Sequence, residues 1–171
     1  MDATSAPRVV LDPDSFAQRW LDKQRQSQPE SPLTPLISDG DATLPADAAP
    51  FLSFKQFSRK PRIWELYGPM SSWTDEDRQR LAPFRVIGSD GEGNPLCLLE
   101  DRSVCWLDHE ARFRARKFVN SSVPLLAECL LAYLCKGDTL ALKAQIASID
   151  PAAIAPGTFW SGEIQTLLAK S

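Results

Sequence analysis

The chain has one histidine and four cysteines, too few and too scattered for the chemistry those residues usually carry. A structural zinc takes four Cys or His ligands, and a catalytic one takes three with water completing the shell. Cys97, Cys105, Cys129 and Cys135 form no CxxC pair and lie in apolar surroundings. They read as buried free thiols of a reducing compartment, with no disulfide framework. Basic charge is also not in excess: 19 Lys and Arg face 22 Asp and Glu, giving a net charge of -3. A global nucleic-acid footprint is therefore absent, and a basic partner suits the chain better than an acidic one. No apolar run approaches the roughly 18 residues of a membrane span. The opening MDATSAPRVVLDPDSF lacks the basic region and apolar core of a signal peptide. A cytoplasmic protein away from the membrane is expected.

Phosphate, calcium and hydrolase motifs are missing too. Gly88, Gly91 and Gly93 spell GxxGxG, but a dinucleotide site needs GxGxxG opening straight into a helix. Here Asn94, Pro95 and a strand follow, and Asp90 and Glu92 would repel phosphate. The glycines read as a loop that needs positive-φ positions. Ser89, Asp90, Glu92 and Asn94 lack the spacing of a calcium loop. No GxSxG elbow presents a serine to His109. General acid-base work by His109 stays open as a hydrolase alternative. The plainer reading is that Asp108-His109-Glu110 closes a strand and faces water or a partner. No cofactor and no metal are expected. Arg112, Arg114, Arg116 and Lys117 crowd one segment, and in an acidic protein they read as balancing nearby acids.

What is present is a change of period along the chain. Residues 11–26 suggest a helix capped by Asp14 or Ser15, with Phe16, Trp20 and Leu21 on one side. Residues 27–50 carry Pro29, Pro32, Pro35, Pro45 and Pro50 and four acidic residues, and read as irregular and partly extended. Leu33, Leu36 and Ile37 suggest that some of this segment lies on the body. FLSFKQF reads as a helix or a buried turn, and RIWELYG packs Trp64 and Tyr67. SSWTDEDRQRL predicts a short helix capped by Ser71 or Ser72 and ending before Pro83. FRVIG, LCLL and VCWL then read as strands joined by the turns GSDGEGNP and EDRS, an antiparallel meander. Phe118 and Val119 suggest a fourth strand. Ser121 or Ser122 caps a core helix bearing Leu126, Cys129, Leu130, Tyr133 and Leu134, stopped near Gly137. Further helices are expected over 139–148 and from Trp160. The fold class is α+β: a small antiparallel or mixed sheet packed against helices.

An ordered set of pieces carries a family resemblance. They are Leu44-Pro45 with Phe51-Leu52, then FRVIGSDGEGNPLCLL, VCWLDHE and FVNSSVPLLAECLLAYL. This series resembles the SUKH superfamily, most closely its fourth immunity-protein family, over about residues 44–170. The resemblance implies a non-enzymatic binding domain over 44–171, preceded by a helix and an acidic Pro-rich segment in 1–43. It implies a cognate bacterial toxin as partner, often a nuclease or a nucleic-acid deaminase, and no direct contact with nucleic acid. Gly88, Gly91, Gly93, Asn120, Ser121 and Ser122 are then structural. Asp90, Glu92, Glu100 and Asp101 are the expected rim charges, with His109 beside them. An intracellular scaffold or regulatory protein of the same fold is the rival reading.

Overall fold

Leu96-Cys97-Leu98-Leu99 and Val104-Cys105-Trp106-Leu107 are apolar at every position. A strand buried on one face alternates, so unbroken runs point to a sheet covered on both. The computed structural model describes residues 13–39, 42–48, 51–69 and 72–170, and it contains such a sheet. The elements begin with α1 (Pro13–Ser27), β1 (Leu36–Ser38), β2 (Thr43–Pro45), β3 (Asp47–Ala48) and β4 (Leu52–Ser53). Then come α2 (Ile63–Leu66), α3 (Asp75–Leu81), β5 (Arg85–Ser89), β6 (Pro95–Leu98), β7 (Val104–Leu107) and β8 (Arg116–Asn120). The chain closes with α4 (Val123–Leu134), α5 (Thr139–Ile149) and α6 (Phe159–Lys170). β3 to β8 form a six-stranded antiparallel meander in sequence order, and β1–β2 is a separate hairpin.

Alternate side chains divide two cores. Ile87, Leu96 and Val104 face Phe16 and Trp20 of α1, Leu126 and Leu130 of α4, and Trp160 of α6. Val86, Cys97, Cys105 and Leu107 face Ile63, Trp73, Leu81 and Phe113. The fold is α+β, with helices on both sides of an antiparallel sheet.

Several local expectations need correction. α1 starts at Pro13, so Asp14 and Ser15 lie inside it and not at its cap. Residues 27–50 are less irregular than their prolines suggest, because the β1–β2 hairpin and β3 fall within them. Leu36 and Ile37 pack on the core, while Leu33 is exposed. FLSFKQF is neither a helix nor only a turn: Leu52–Ser53 pairs as β4 before the turn begins. Cys135 is exposed, unlike the other three cysteines, because it caps α4 beyond the buried face. α4 ends at Leu134, and Gly137 has no left-handed φ. Residues 1–12, where no signal peptide is expected, the alternative cap Ser71 and Pro50 lie outside the described residues.

The cap of α3 is Thr74, not Ser72, whose hydroxyl donates instead to Pro69 O at 2.7 Å. Thr74 Oγ1 accepts from Asp77 N at 3.0 Å, and Asp77 Oδ2 accepts from Thr74 N at 3.2 Å. Such a reciprocal box satisfies two orphan amides of the first turn. Arg112 Nη2 also reaches Asp77 Oδ2, at 3.0 Å. The Thr74 amide, helped by the Thr74 hydroxyl and Arg112, holds the Asp77 carboxyl down at about 2 against the opposing effect of burial. A folded-state value below the ordinary 3.8 favours the folded protein above pH ~4, and that contribution fades as pH falls towards 2. Urea midpoints of wild type and Asp77→Asn should therefore differ at pH 7 and converge between pH 4 and 2. A gap independent of pH would mean that the carboxylate charge plays no part.

Ser122 is the N-cap of α4, its Oγ accepting from Leu125 N at 3.3 Å, with Pro124 in the first turn. Ser122→Ala should lower stability by about 1 kcal/mol in chemical denaturation. Ser121 has a different task. Its amide and hydroxyl donate to the Asp150 carboxylate at 2.8 Å each.

A candidate partner-binding edge of the sheet

In a meander, successive turns leave from opposite ends. The β3–β4, β5–β6 and β7–β8 connections therefore share one end, and the β6–β7 turn lies at the other. This parity sorts the charged residues singled out above. Asp90, Glu92 and His109 fall on the shared end. Glu100 and Asp101 fall at the far end, separated by the length of β6, roughly 13 Å for four residues. The two acidic turns do not form one continuous rim.

The β5–β6 turn is organised by Asp90. Its Oδ1 accepts from Glu92 N and Asn94 N, both at 2.9 Å. Its Oδ2 accepts from Asn94 Nδ2 at 3.0 Å and from Trp106 Nε1 at 2.8 Å. Burial pushes this carboxyl up, but bonds from the side chains of Trp106 and Asn94 and from two amides outweigh it, so the value falls below the ordinary one. With four donors on its two oxygens, Asp90 shapes the turn. Glu92 projects from the same turn and is exposed.

His109 joins the same network. Because Asn94 Nδ2 donates to Asp90, Asn94 Oδ1 must face His109. It accepts from His109 N at 3.0 Å and lies 2.6 Å from Nδ1. An amide oxygen only accepts, so Nδ1 carries the proton in this contact. The ring is thus a brace between two turns. Gly93 adopts φ +90°, and a Cβ there would lie 3.8 Å from His109 Cε1. Tyr67 Oη donates to Gly93 O at 2.9 Å and braces the turn from the second core. Gly88 has a different requirement from the positive φ expected of it. It sits in β5, where a Cβ would come 2.2 Å from Ser53 O of β4. Gly91 also lacks a positive φ, and a Cβ there would lie 3.3 Å from Phe51 Cβ.

At the far end, Asp101 closes its own turn by accepting from Ser103 N at 2.9 Å and Ser103 Oγ at 2.6 Å. Those bonds lower its carboxyl below the ordinary value. Glu100 and Asp101, with Arg116, line a shallow groove of about 470 Å³. The basic run is dispersed. Arg112 stacks over Trp73 at 5.5 Å, and Lys117 lies over Trp106 at 4.8 Å. Only Arg116 and Lys117 of the run are in a strand, where neighbours point to opposite faces.

Two larger grooves meet at the shared end. One, of about 600 Å³, lies between α1 and the β3–β4 hairpin and is lined by Trp20, Gln24, Asp47 and Leu52. The other, of about 710 Å³, lies between the β5–β6 turn and α6 and is lined by Asp90, Glu92, Trp106, Lys117, Glu163 and Lys170. Phe51 and Tyr133 line both. Burial raises the Glu163 carboxyl, with Lys170 and Lys117 opposing the rise. His109 lines none of these three grooves. Among the described residues, no group of three or more His, Cys, Asp or Glu could hold a metal ion. No described helix is long and apolar enough to cross a membrane.

This end of the sheet is therefore built of hydrogen-bonded turns between open grooves, with His109 as a brace. In a comparison with protein families, the model of the SUKH-4 immunity proteins matches residues 7–166. The chain belongs to the SUKH-4 immunity protein family. No curated protein and no solved structure matches it.

Proposed function

We propose that the protein acts without catalysis, binding one cognate bacterial toxin and neutralising it, and that this toxin handles nucleic acid as a nuclease or deaminase. The observation that carries the reading is the acidic, turn-built end of the sheet, in a family of immunity proteins. A protein that works on nucleic acid needs a positive surface. Carboxylates held on rigid turns can meet that surface and steer the encounter. Within this reading, Asp90, Glu92 and His109 belong to the contact edge, with Asp90 and His109 shaping it and Glu92 reaching outward. Glu100 and Asp101 face away from a partner seated there.

The test is co-expression with the product of the adjacent gene, scored by growth rescue and by pull-down. Rescue together with a stable complex supports the reading. A neighbour that is not toxic, or that the chain does not bind, shifts the reading to an intracellular scaffold or regulatory protein. Nuclease and deaminase assays on the isolated partner decide its chemistry.

A further inference from the structure

We propose that Phe51 is the anchor of the contact surface, and that its occupant is a protein domain offering an apolar cleft rimmed by lysine and arginine. The proposal deepens the immunity reading and rests on it. Phe51 is 87% exposed, on the turn between β3 and β4, with φ +61°. A bulky residue in the left-handed region is uncommon and strained. The strain brings no burial in return, because the ring points away from both cores. Folding of this chain alone therefore gives no reason for an aromatic at this position.

Its surroundings do give one. Phe51 is the ridge where the two grooves meet, so a partner cleft closing over the ring also settles into both flanking hollows. The acidic side chains lining them are Asp47, Asp90, Glu92 and Glu163, against Lys117 and Lys170. Lys117 is already engaged with the Trp106 ring. An apolar projection inside an acidic surround matches a partner with the reverse arrangement. Central aromatics with a charged rim are also the usual carriers of interface energy. Other exposed large apolar side chains, such as Leu140 on α5, line neither groove.

The probe is the toxin domain encoded by the adjacent gene, in an inactivated form, titrated with the full chain. Phe51→Gly should weaken binding at least about 30-fold, the equivalent of a strong hot spot. The same variant should melt no lower than wild type, since glycine accepts the left-handed φ without strain. Asp47→Lys combined with Glu92→Lys should slow association about tenfold at low salt, with the gap closing at high salt. Leu140→Ala should bind as wild type does. Affinity kept within about threefold in Phe51→Gly, while the wild type binds and protects, would overturn the anchor and leave the immunity reading standing. A melting temperature that falls along with affinity would make Phe51 a structural residue and also overturn it. Sedimentation showing a wild-type dimer that Phe51→Gly dissolves would assign the face to a second copy of the chain instead. A wild-type chain that fails to bind a toxic neighbour removes the immunity reading and this proposal together.

Discussion

Asp150→Ala is expected to destabilise the protein by about 3–5 kcal/mol, a large share of the roughly 5–15 kcal/mol that holds a domain together. Asp150 is 3% exposed and accepts from Asn120 Nδ2 at 3.0 Å as well as from Ser121. Asn120 is fully buried, and its Oδ1 accepts from Trp160 Nε1 at 2.9 Å. One carboxylate and one amide thereby tie the end of β8 to the end of α5 and the start of α6. Removing the carboxylate strands the Asn120 Nδ2 hydrogen aimed at it where water cannot reach, the amide keeping only its 3.4 Å contact with Cys129 Sγ, while the exposed Ser121 can turn to solvent. Asp150→Asn keeps one acceptor but sets an NH2 against donors, so roughly half that loss is expected. Urea denaturation of the two variants decides. A loss below about 1 kcal/mol for Asp150→Ala would mean that the network closes around the gap.

This network explains why the Asn-Ser-Ser sequence is only half legible without coordinates. A helix cap is local: Ser122, Pro124 and the apolar spacing of Leu126 and Leu130 sit within three turns and can be read directly. The partner of Asn120 and Ser121 is thirty residues away, and no short-range pattern points to Asp150. The same distinction runs through the fold. β5, β6 and β7 are long enough to stand out as apolar runs between polar turns, and the three C-terminal helices as helically spaced apolar residues. β3 and β4 have two residues each, too few for any periodicity; β4 takes its strand geometry from β5, and β3 from β4. The α3 cap is hidden by competition: three hydroxyl residues within four positions, Ser71, Ser72 and Thr74, can each fill it in sequence. The reciprocal bond from Asp77 selects the last of them.

The candidate site is legible in its parts but not in its assembly. Turn carboxylates stand out in sequence, yet Asp90 spends both oxygens on its turn and on Trp106, which leaves Glu92 as the outward charge of the 90–94 turn. Which turns share an end follows from the parity of the meander, and that depends on the number of strands. A three- or four-strand reading already separates the 90–94 turn from the 99–103 turn. Only the added β3–β4 pair brings Phe51 alongside. A signal for Phe51 existed in its position directly after Pro50, an apolar residue at a turn, but burial in FLSF was the more economical reading.

Arg19→Ala carries the second large effect expected, a loss of roughly 2–4 kcal/mol, near the range for breaking a buried ion pair. Arg19 of α1 holds Glu128 of α4 through two bonds, Nη1 to Oε1 at 2.7 Å and Nη2 to Oε2 at 2.6 Å. Glu128 is 8% exposed, in the middle of a helix whose neighbours Ala127, Cys129 and Leu130 are all core. Without the guanidinium its charge has no matched donor in an apolar seam. Arg19 is itself partly exposed, so water entering along its path tempers the loss. The contribution of the pair as a whole is smaller than the effect of breaking it. Arg19→Met with Glu128→Leu should recover most of the stability, because two apolar side chains can fill the seam without desolvating charge. The same denaturation curves also test whether α1 folds as one unit with the sheet. Phe16 and Trp20 flank Arg19 and are buried in the same core as Leu126 and Trp160. A single cooperative unfolding transition is therefore expected in the wild type, in Arg19→Ala and in the double variant. Two transitions in Arg19→Ala, with the core melting unchanged, would show instead that α1 docks onto a domain already stable without it.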